Sequence, residues 1–141
     1  MENLFISYEI AKLLKEKGFN EPCIAYHREL IRSKEPIFYI NSNRGRFKNG
    51  KPFVNSELGD NKYNMVAAPM FQQVIDWLEI KGVSIWAFPV YRGENIAFFK
   101  VNMAKFYTEI DTQELFGILN DTFNTKKEAL NKSIEEALKL I

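Results

Sequence analysis

The chain has 141 residues, of which 46% are hydrophobic and 26% charged, and its formal net charge is +1. These values are typical of one soluble globular domain. One Cys (Cys23) and one His (His27) exclude an intrachain disulfide, a thiolate-rich cluster and a multi-histidine metal site within one chain. We therefore expect no metal and no cofactor. The sequence shows neither a signal peptide nor an apolar run of membrane-spanning length, so we expect a cytoplasmic protein without a membrane partner.

The first third of the chain predicts one helix and a hairpin. A helix is predicted over residues 7–17, where Ser7 is a good N-cap and Gly18 suits the left-handed position after the last turn. Strands are predicted over residues 23–31 and 36–41. The second strand has apolar or aromatic residues on both faces, so we expect it to be covered on both sides.

Residues 42–67 show no periodicity. They contain three glycines and five asparagines, and irregular connections of this length are usually functional or disordered. We expect a long, irregular, basic loop within a single domain over residues 1–141, with a short strand at Phe53–Val54.

A strong helix is predicted over residues 69–81, where Pro69 occupies the first helical position and apolar residues recur at helical spacing. A hairpin follows over residues 83–91 and 95–103, with Gly93 in its turn. Pro89 cannot donate to a ladder, so its strand should lie at an edge or contain a bulge.

Two helices complete the predicted elements. A short helix is expected over residues 111–120, because Asp111 and Glu114 have capping-box spacing, and a firmer one over residues 125–140, which opens with Thr125 and Glu128. This order predicts an α+β fold: an antiparallel sheet of about four strands with three to four helices packed mainly on one face.

Charge is distributed unevenly along the chain. Residues 1–51 have a net charge of +4 and residues 52–141 of −3. Between His27 and Lys51, cations that neutralise phosphates alternate with aromatic rings, such as Tyr39, that stack on unpaired bases. The candidate nucleic-acid or partner-binding residues are Arg28, Arg32, Tyr39, Arg44, Arg46, Phe47, Lys48 and Lys51. An ordinary solvated loop and a docking site for an acidic protein surface remain alternatives.

The sequence offers no convincing catalytic set. On a strand, Cys23 and His27 would lie about 13 Å apart, too far for thiol activation. No acid–base carboxylate pair, phosphate-binding loop or nucleophile elbow is found. We therefore predict a protein that is not an enzyme, with no catalytic residues and no small-molecule substrate. The aromatic residues of the second hairpin, among them Trp86 and Phe98, fit a core or a homodimer interface.

Three separated blocks resemble a family of small uncharacterised proteins from phages and mobile elements of Bacteroidota. They are residues 10–19 with Glu21-Pro22-Cys23, Ala68-Pro69 leading into residues 72–78, and residues 128–138. The resemblance covers about a third of the chain, mostly scaffold residues, and implies no catalytic residues. It implies a bacterial host cell and a genomic setting in which small proteins often block defence nucleases; the link to function is association, not a site.

Three hypotheses follow. The first is a non-enzymatic phage-type accessory protein that inhibits a host defence nuclease, in the manner of an anti-CRISPR protein, by binding the nuclease, its guide RNA or both. The second is a stand-alone small nucleic-acid-binding regulator, whose affinity should fall steeply with salt. The third is a small enzyme, which has the least support in the sequence.

Overall fold

The computed structural model describes residues 2–30, 33, 35–41, 51–58, 64–107 and 112–141, with only the backbone described at residues 2, 106, 107 and 112–120. The chain divides into two compact units, Met1–Gln73 and Val74–Ile141. Each unit combines helices with a three-stranded antiparallel sheet, so the predicted α+β class is confirmed. The strands are shared between two sheets instead of forming one sheet of about four.

The helices are α1 (Tyr8–Glu16), α2 (Asn55–Leu58), α3 (Phe71–Ile80) and α4 (Lys126–Leu138), preceded by a single 3-10 turn at Glu2–Leu4. The strands are β1 (Ala25–Arg28), β2 (Ile37–Ile40), β3 (Met65–Ala67), β4 (Val83–Arg92), β5 (Asn95–Tyr107) and β6 (Thr112–Phe123). Helices α1, α3 and α4 and both hairpins lie where the sequence predicts them.

Helix α1 ends as its sequence indicates. Gly18 has φ +83°, and the amide of Phe19 donates to the carbonyl of Leu14 while that of Gly18 donates to Lys15. This pair of bonds is a Schellman motif, which satisfies carbonyls that the last helical turn leaves open. The turn also directs Phe19 inward, where it is 1% exposed.

The sheet of the first unit has the order β2-β1-β3, and all its pairs are antiparallel. Strand β2 therefore forms an edge. Ile37 and Ile40, which point to opposite faces, are 38% and 39% exposed, so the expectation that this strand is covered on both sides is wrong. An edge strand has a neighbour on one side only, which leaves even its apolar side chains partly in solvent.

The segment predicted as an irregular loop contains α2 and β3. Phe53 forms an isolated antiparallel bridge with Cys23. Asn55 is 5% exposed, accepts from the Ala67 amide at 3.0 Å and donates to the Phe19 carbonyl at 2.9 Å. One amide side chain thus joins three separate segments. Residues 42–50 and 59–63 lie outside the described residues.

In the second unit the sheet order is β4-β5-β6, and α4 packs against all three strands. The buried sheet residues include Ile85 and Met103, which are paired across β4 and β5, and the buried helix residues include Ile134. Pro89 lies on the edge strand β4, one residue before a register shift at Val90/Tyr91, as predicted.

The helix predicted over residues 111–120 is wrong, because residues 112–123 form β6. The backbone of β6 pairs antiparallel with β5 from Tyr107↔Thr112 to Phe99↔Phe123. Gly117 lowers helix propensity, whereas a thirteen-residue β5 offers a long partner ladder. The capping box of α4 is confirmed: Thr125 Oγ1 accepts from the Glu128 amide at 3.1 Å, and Glu128 Oε2 accepts from the Thr125 amide at 3.3 Å.

Candidate nucleic-acid interface

Two of the predicted binding residues, Arg28 and Tyr39, lie on one face of the first unit's sheet. Tyr26 pairs with Tyr39, and Arg28 pairs with Ile37. Because alternate strand residues share a face, Tyr26 and Arg28 of β1 lie on the same side as Ile37 and Tyr39 of β2. Arg28 and Tyr39 are therefore diagonal neighbours across the strand pair, and both are half-buried.

Tyr39 is held by an aromatic cluster. Its ring stacks on that of Tyr26 with centroids 5.2 Å apart and 17° between the planes. The Tyr26 ring also meets that of Phe53 edge-on, with centroids 5.7 Å apart, and Tyr26 is only 8% exposed. Of the two tyrosines, Tyr26 is buried and Tyr39 is half-buried.

Lys51 lies beside the end of β2. Its carbonyl accepts a hydrogen bond of 2.7 Å from Nδ2 of Asn41, which follows β2 directly. The backbone N–H of Asn41 donates to the carbonyl of Ile24. Lys51 is exposed. We use the name β2 edge for three residues together: Tyr39 of β2, Arg28 of the neighbouring strand β1, and Lys51, which is bonded to Asn41.

The remaining predicted residues, Arg32, Arg44, Arg46, Phe47 and Lys48, lie outside the described residues. Asn41 and Lys51, the described residues on either side of residues 42–50, are joined by the hydrogen bond just given.

The opposite face of the same sheet is apolar interior. Phe5, Ala25 and Ala68 are buried together, with Phe38 packed against them. His27 is 6% exposed, donates from Nε2 to the carbonyl of Ile6 at 3.0 Å and contacts the ring of Phe38. His27 thus holds the segment before α1 against the sheet.

Cys23 is also an interior residue. It is 1% exposed, and its thiol donates to the Glu21 carbonyl at 3.4 Å. Burial, with a smaller contribution from the charge of Glu21, raises the pKa of the Cys23 thiol to about 12. Because the thiolate is the nucleophile, a thiol with this pKa is inert near neutral pH.

A second polar site, which the sequence analysis missed, surrounds Glu29. Glu29 Oε2 accepts from the Tyr8 hydroxyl at 3.2 Å and from Asn64 Nδ2 at 2.9 Å, and Lys12 lies over the Tyr8 ring. Burial and the Glu29 carboxylate raise the pKa of Tyr8. With Lys15, these residues line a cleft of about 240 Å³. Asn64 has φ +39°, a conformation that asparagine tolerates and that needs local support.

The described acidic residues of α4 take part in ion pairs. Glu136 accepts hydrogen bonds from Lys139 and Lys132, which lower its pKa, and Lys132 also pairs with Glu135. Among the described residues, no group of three or more His, Cys, Asp or Glu side chains could hold a metal ion. These carboxylates therefore belong to ion pairs on the surface of α4.

The hairpin of β4 and β5 carries partly exposed aromatic residues. Trp86 is 41% exposed, and Phe88 and Phe98 are half-buried. Ile85 and Met103, on the other side of the same strands, are buried. Alternation along the strands separates a buried face from a partly solvent-exposed one. The rings of Trp86, Phe88 and Phe98 therefore do not all belong to the core.

The comparisons with known proteins give no family. No family model matches the chain, and no curated protein sequence and no solved structure matches it. The resemblance to phage and mobile-element proteins therefore stays a prediction. In the part of the chain that the structure describes, no helix combines the length and the apolar character needed to cross a bilayer.

Proposed function

We propose that the protein is a non-enzymatic inhibitor of a host defence nuclease, which binds the nuclease, its guide RNA or both through the β2 edge. The observation that supports this proposal is that Tyr39 lies on the edge strand β2, with Arg28 on the neighbouring strand β1 and Lys51 bonded to Asn41 at the end of β2. Two cations and an aromatic ring on neighbouring segments offer attraction to phosphates and a flat surface for a base.

The basic segment strengthens the proposal. Residues 42–50 of the sequence contribute Arg44, Arg46 and Lys48 and no acidic residue. Additional cations on the same chain increase the rate and the affinity with which an anionic partner binds.

The test is capture of RNA-guided nucleases with the purified protein, combined with a measurement of interference in cells that express it. We expect the protein to retain a nuclease complex and to reduce interference. A protein that captures no nuclease and leaves interference intact contradicts the proposal.

A stand-alone nucleic-acid-binding regulator is the second candidate, because the β2 edge has the same chemistry whether or not a nuclease carries the RNA. Reversing the charges of Arg44 and Arg46 separates the two. Nuclease capture that survives the reversal while binding of free RNA is lost favours the inhibitor. A protein that binds free oligonucleotides and captures no nuclease is the regulator.

A further inference from the structure

We infer that the β2 edge binds unpaired nucleotides of single-stranded nucleic acid, with one base stacked on the outer face of Tyr39; this inference rests on the proposed function and specifies its ligand. The first step is the fixed orientation of the ring. Tyr26 occupies one face of Tyr39 at a centroid distance of 5.2 Å, and Phe53 supports Tyr26 in turn. A ring held in this way loses little entropy when a base stacks on it.

The second step concerns the face of the Tyr39 ring that is turned away from Tyr26. In the order β2-β1-β3, the described residues place no strand beyond β2. Tyr26 comes from β1, so the Tyr39 face turned away from it faces outward from the sheet edge. Ile37, two residues earlier on the same face of β2, is 38% exposed and extends this surface with apolar area.

The third step is the position of the cations relative to the ring. Arg28 is paired with Ile37, two residues before Tyr39. Lys51 is bonded through its carbonyl to Asn41, two residues after Tyr39. The backbone distance from Ile37 to Asn41 is about 13 Å at the strand rise. A single strand that runs along β2 past Tyr39 would therefore have Arg28, one strand inward, toward one end and the exposed Lys51 toward the other.

The fourth step asks whether the site favours a single strand, a duplex or an acidic peptide. In a duplex, both faces of each base are covered by neighbouring bases, so only an unpaired base can reach Tyr39 without the cost of unstacking. An acidic peptide would use Arg28 and Lys51 and gain little from a flat ring. The stacked tyrosine pair thus favours a single strand over both a duplex and an acidic peptide.

The experiment measures binding of a short single-stranded RNA containing 2-aminopurine, and of the matching duplex, to the full chain at low salt. Tyr39→Leu removes the aromatic face while retaining apolar bulk, and Tyr39→Phe retains the ring. Tyr91→Leu is the matched control, since Tyr91 of the second unit is a 61% exposed tyrosine. Far-UV circular dichroism establishes that each variant is folded.

We expect the single strand to bind more tightly than the duplex, with 2-aminopurine quenching that Tyr39→Leu abolishes. Tyr39→Leu should weaken binding about 5- to 150-fold, the range for removal of one stacked base, whereas Tyr39→Phe and Tyr91→Leu should bind as the wild type does. Equal affinity of Tyr39→Leu and wild type, or a duplex bound as tightly as the single strand, overturns the inference.

The outcomes also separate this inference from the proposed function. If no oligonucleotide binds while nuclease capture persists, the inference is wrong and the inhibitor acts through protein contacts. If a single strand binds in a Tyr39-dependent manner while nuclease capture fails, the inference is supported and the inhibitor proposal is wrong.

Discussion

Asn55 supports the first unit through two buried hydrogen bonds, and we expect Asn55→Ala to be strongly destabilising. Its side chain is 5% exposed, and both of its bonds are to backbone groups, the Phe19 carbonyl and the Ala67 amide. A buried polar group left without its partner costs about 1–3 kcal/mol. Loss of both bonds should therefore lower the free energy of unfolding by about 2–6 kcal/mol, a large part of a typical domain stability.

Urea unfolding followed by far-UV circular dichroism measures this loss, and amide hydrogen exchange at Ala67 reports the broken bond locally. Ser56→Ala is the matched control, because Ser56 is the exposed neighbour in the same helix and should change stability by less than about 0.5 kcal/mol. If Asn55→Ala unfolds at the wild-type urea concentration and the Ala67 amide remains protected, the reasoning is refuted.

Three further predictions concern single side chains. Leu78→Ala should lower the free energy of unfolding in urea by about 2–5 kcal/mol, because Leu78 is 0% exposed. Ile80→Ala is the control and should lower it little, because Ile80 is 81% exposed. Equal losses for the two variants would contradict this prediction. Thr125→Ala should lower the free energy of unfolding, measured by thermal denaturation, by about 1 kcal/mol because the N-cap hydrogen bond is lost. Thr125→Ser, which retains the hydroxyl, should keep the wild-type stability. Cys23 should react with a thiol reagent at pH 8 only after unfolding. Because its pKa rises from 9.0 to about 12 on folding, its contribution to stability should be complete below pH 9 and lost between pH 9 and 12; rapid labelling of the native protein would contradict this assignment.

The elements that the sequence predicts correctly are those encoded by neighbouring residues. The end of α1 depends on Gly18 and Phe19, and the start of α4 on Thr125 and Glu128. Each signal lies within about one helical turn of the structure that it forms. Such local signals can be read without knowledge of the partner elements.

The errors occur where distant residues decide the structure. Residues 112–123 contain enough apolar residues for a helix, yet they pair with β5 to form β6. The role of Asn55 depends on backbone groups 36 and 12 residues away. The Glu29 cleft likewise needs Tyr8 and Asn64, which lie far from Glu29 in sequence.

The candidate site lies between these two cases. The sequence predicts the hairpin, but Arg28 and Tyr39 share a face only because Arg28 pairs with Ile37, a register that alternation alone does not determine. The position of Lys51 is not encoded locally, because it depends on a bond from Asn41 ten residues earlier. The preference for Tyr39 over Tyr26 requires the observed burial of Tyr26, which the sequence pattern does not supply.

The most direct test of the central claim is the salt dependence of single-stranded RNA binding. Each phosphate contact contributes about 0.7 to the slope of log K against log salt for a single strand. Neutralising Arg28 and Lys51 together (Arg28→Gln, Lys51→Gln) should lower the slope by about 1.4, while neutralising Lys100 and Lys126 of the second unit, an equal change in net charge, should leave it unchanged. Equal slopes for the two double variants would show that the β2 edge is not where the anionic partner binds.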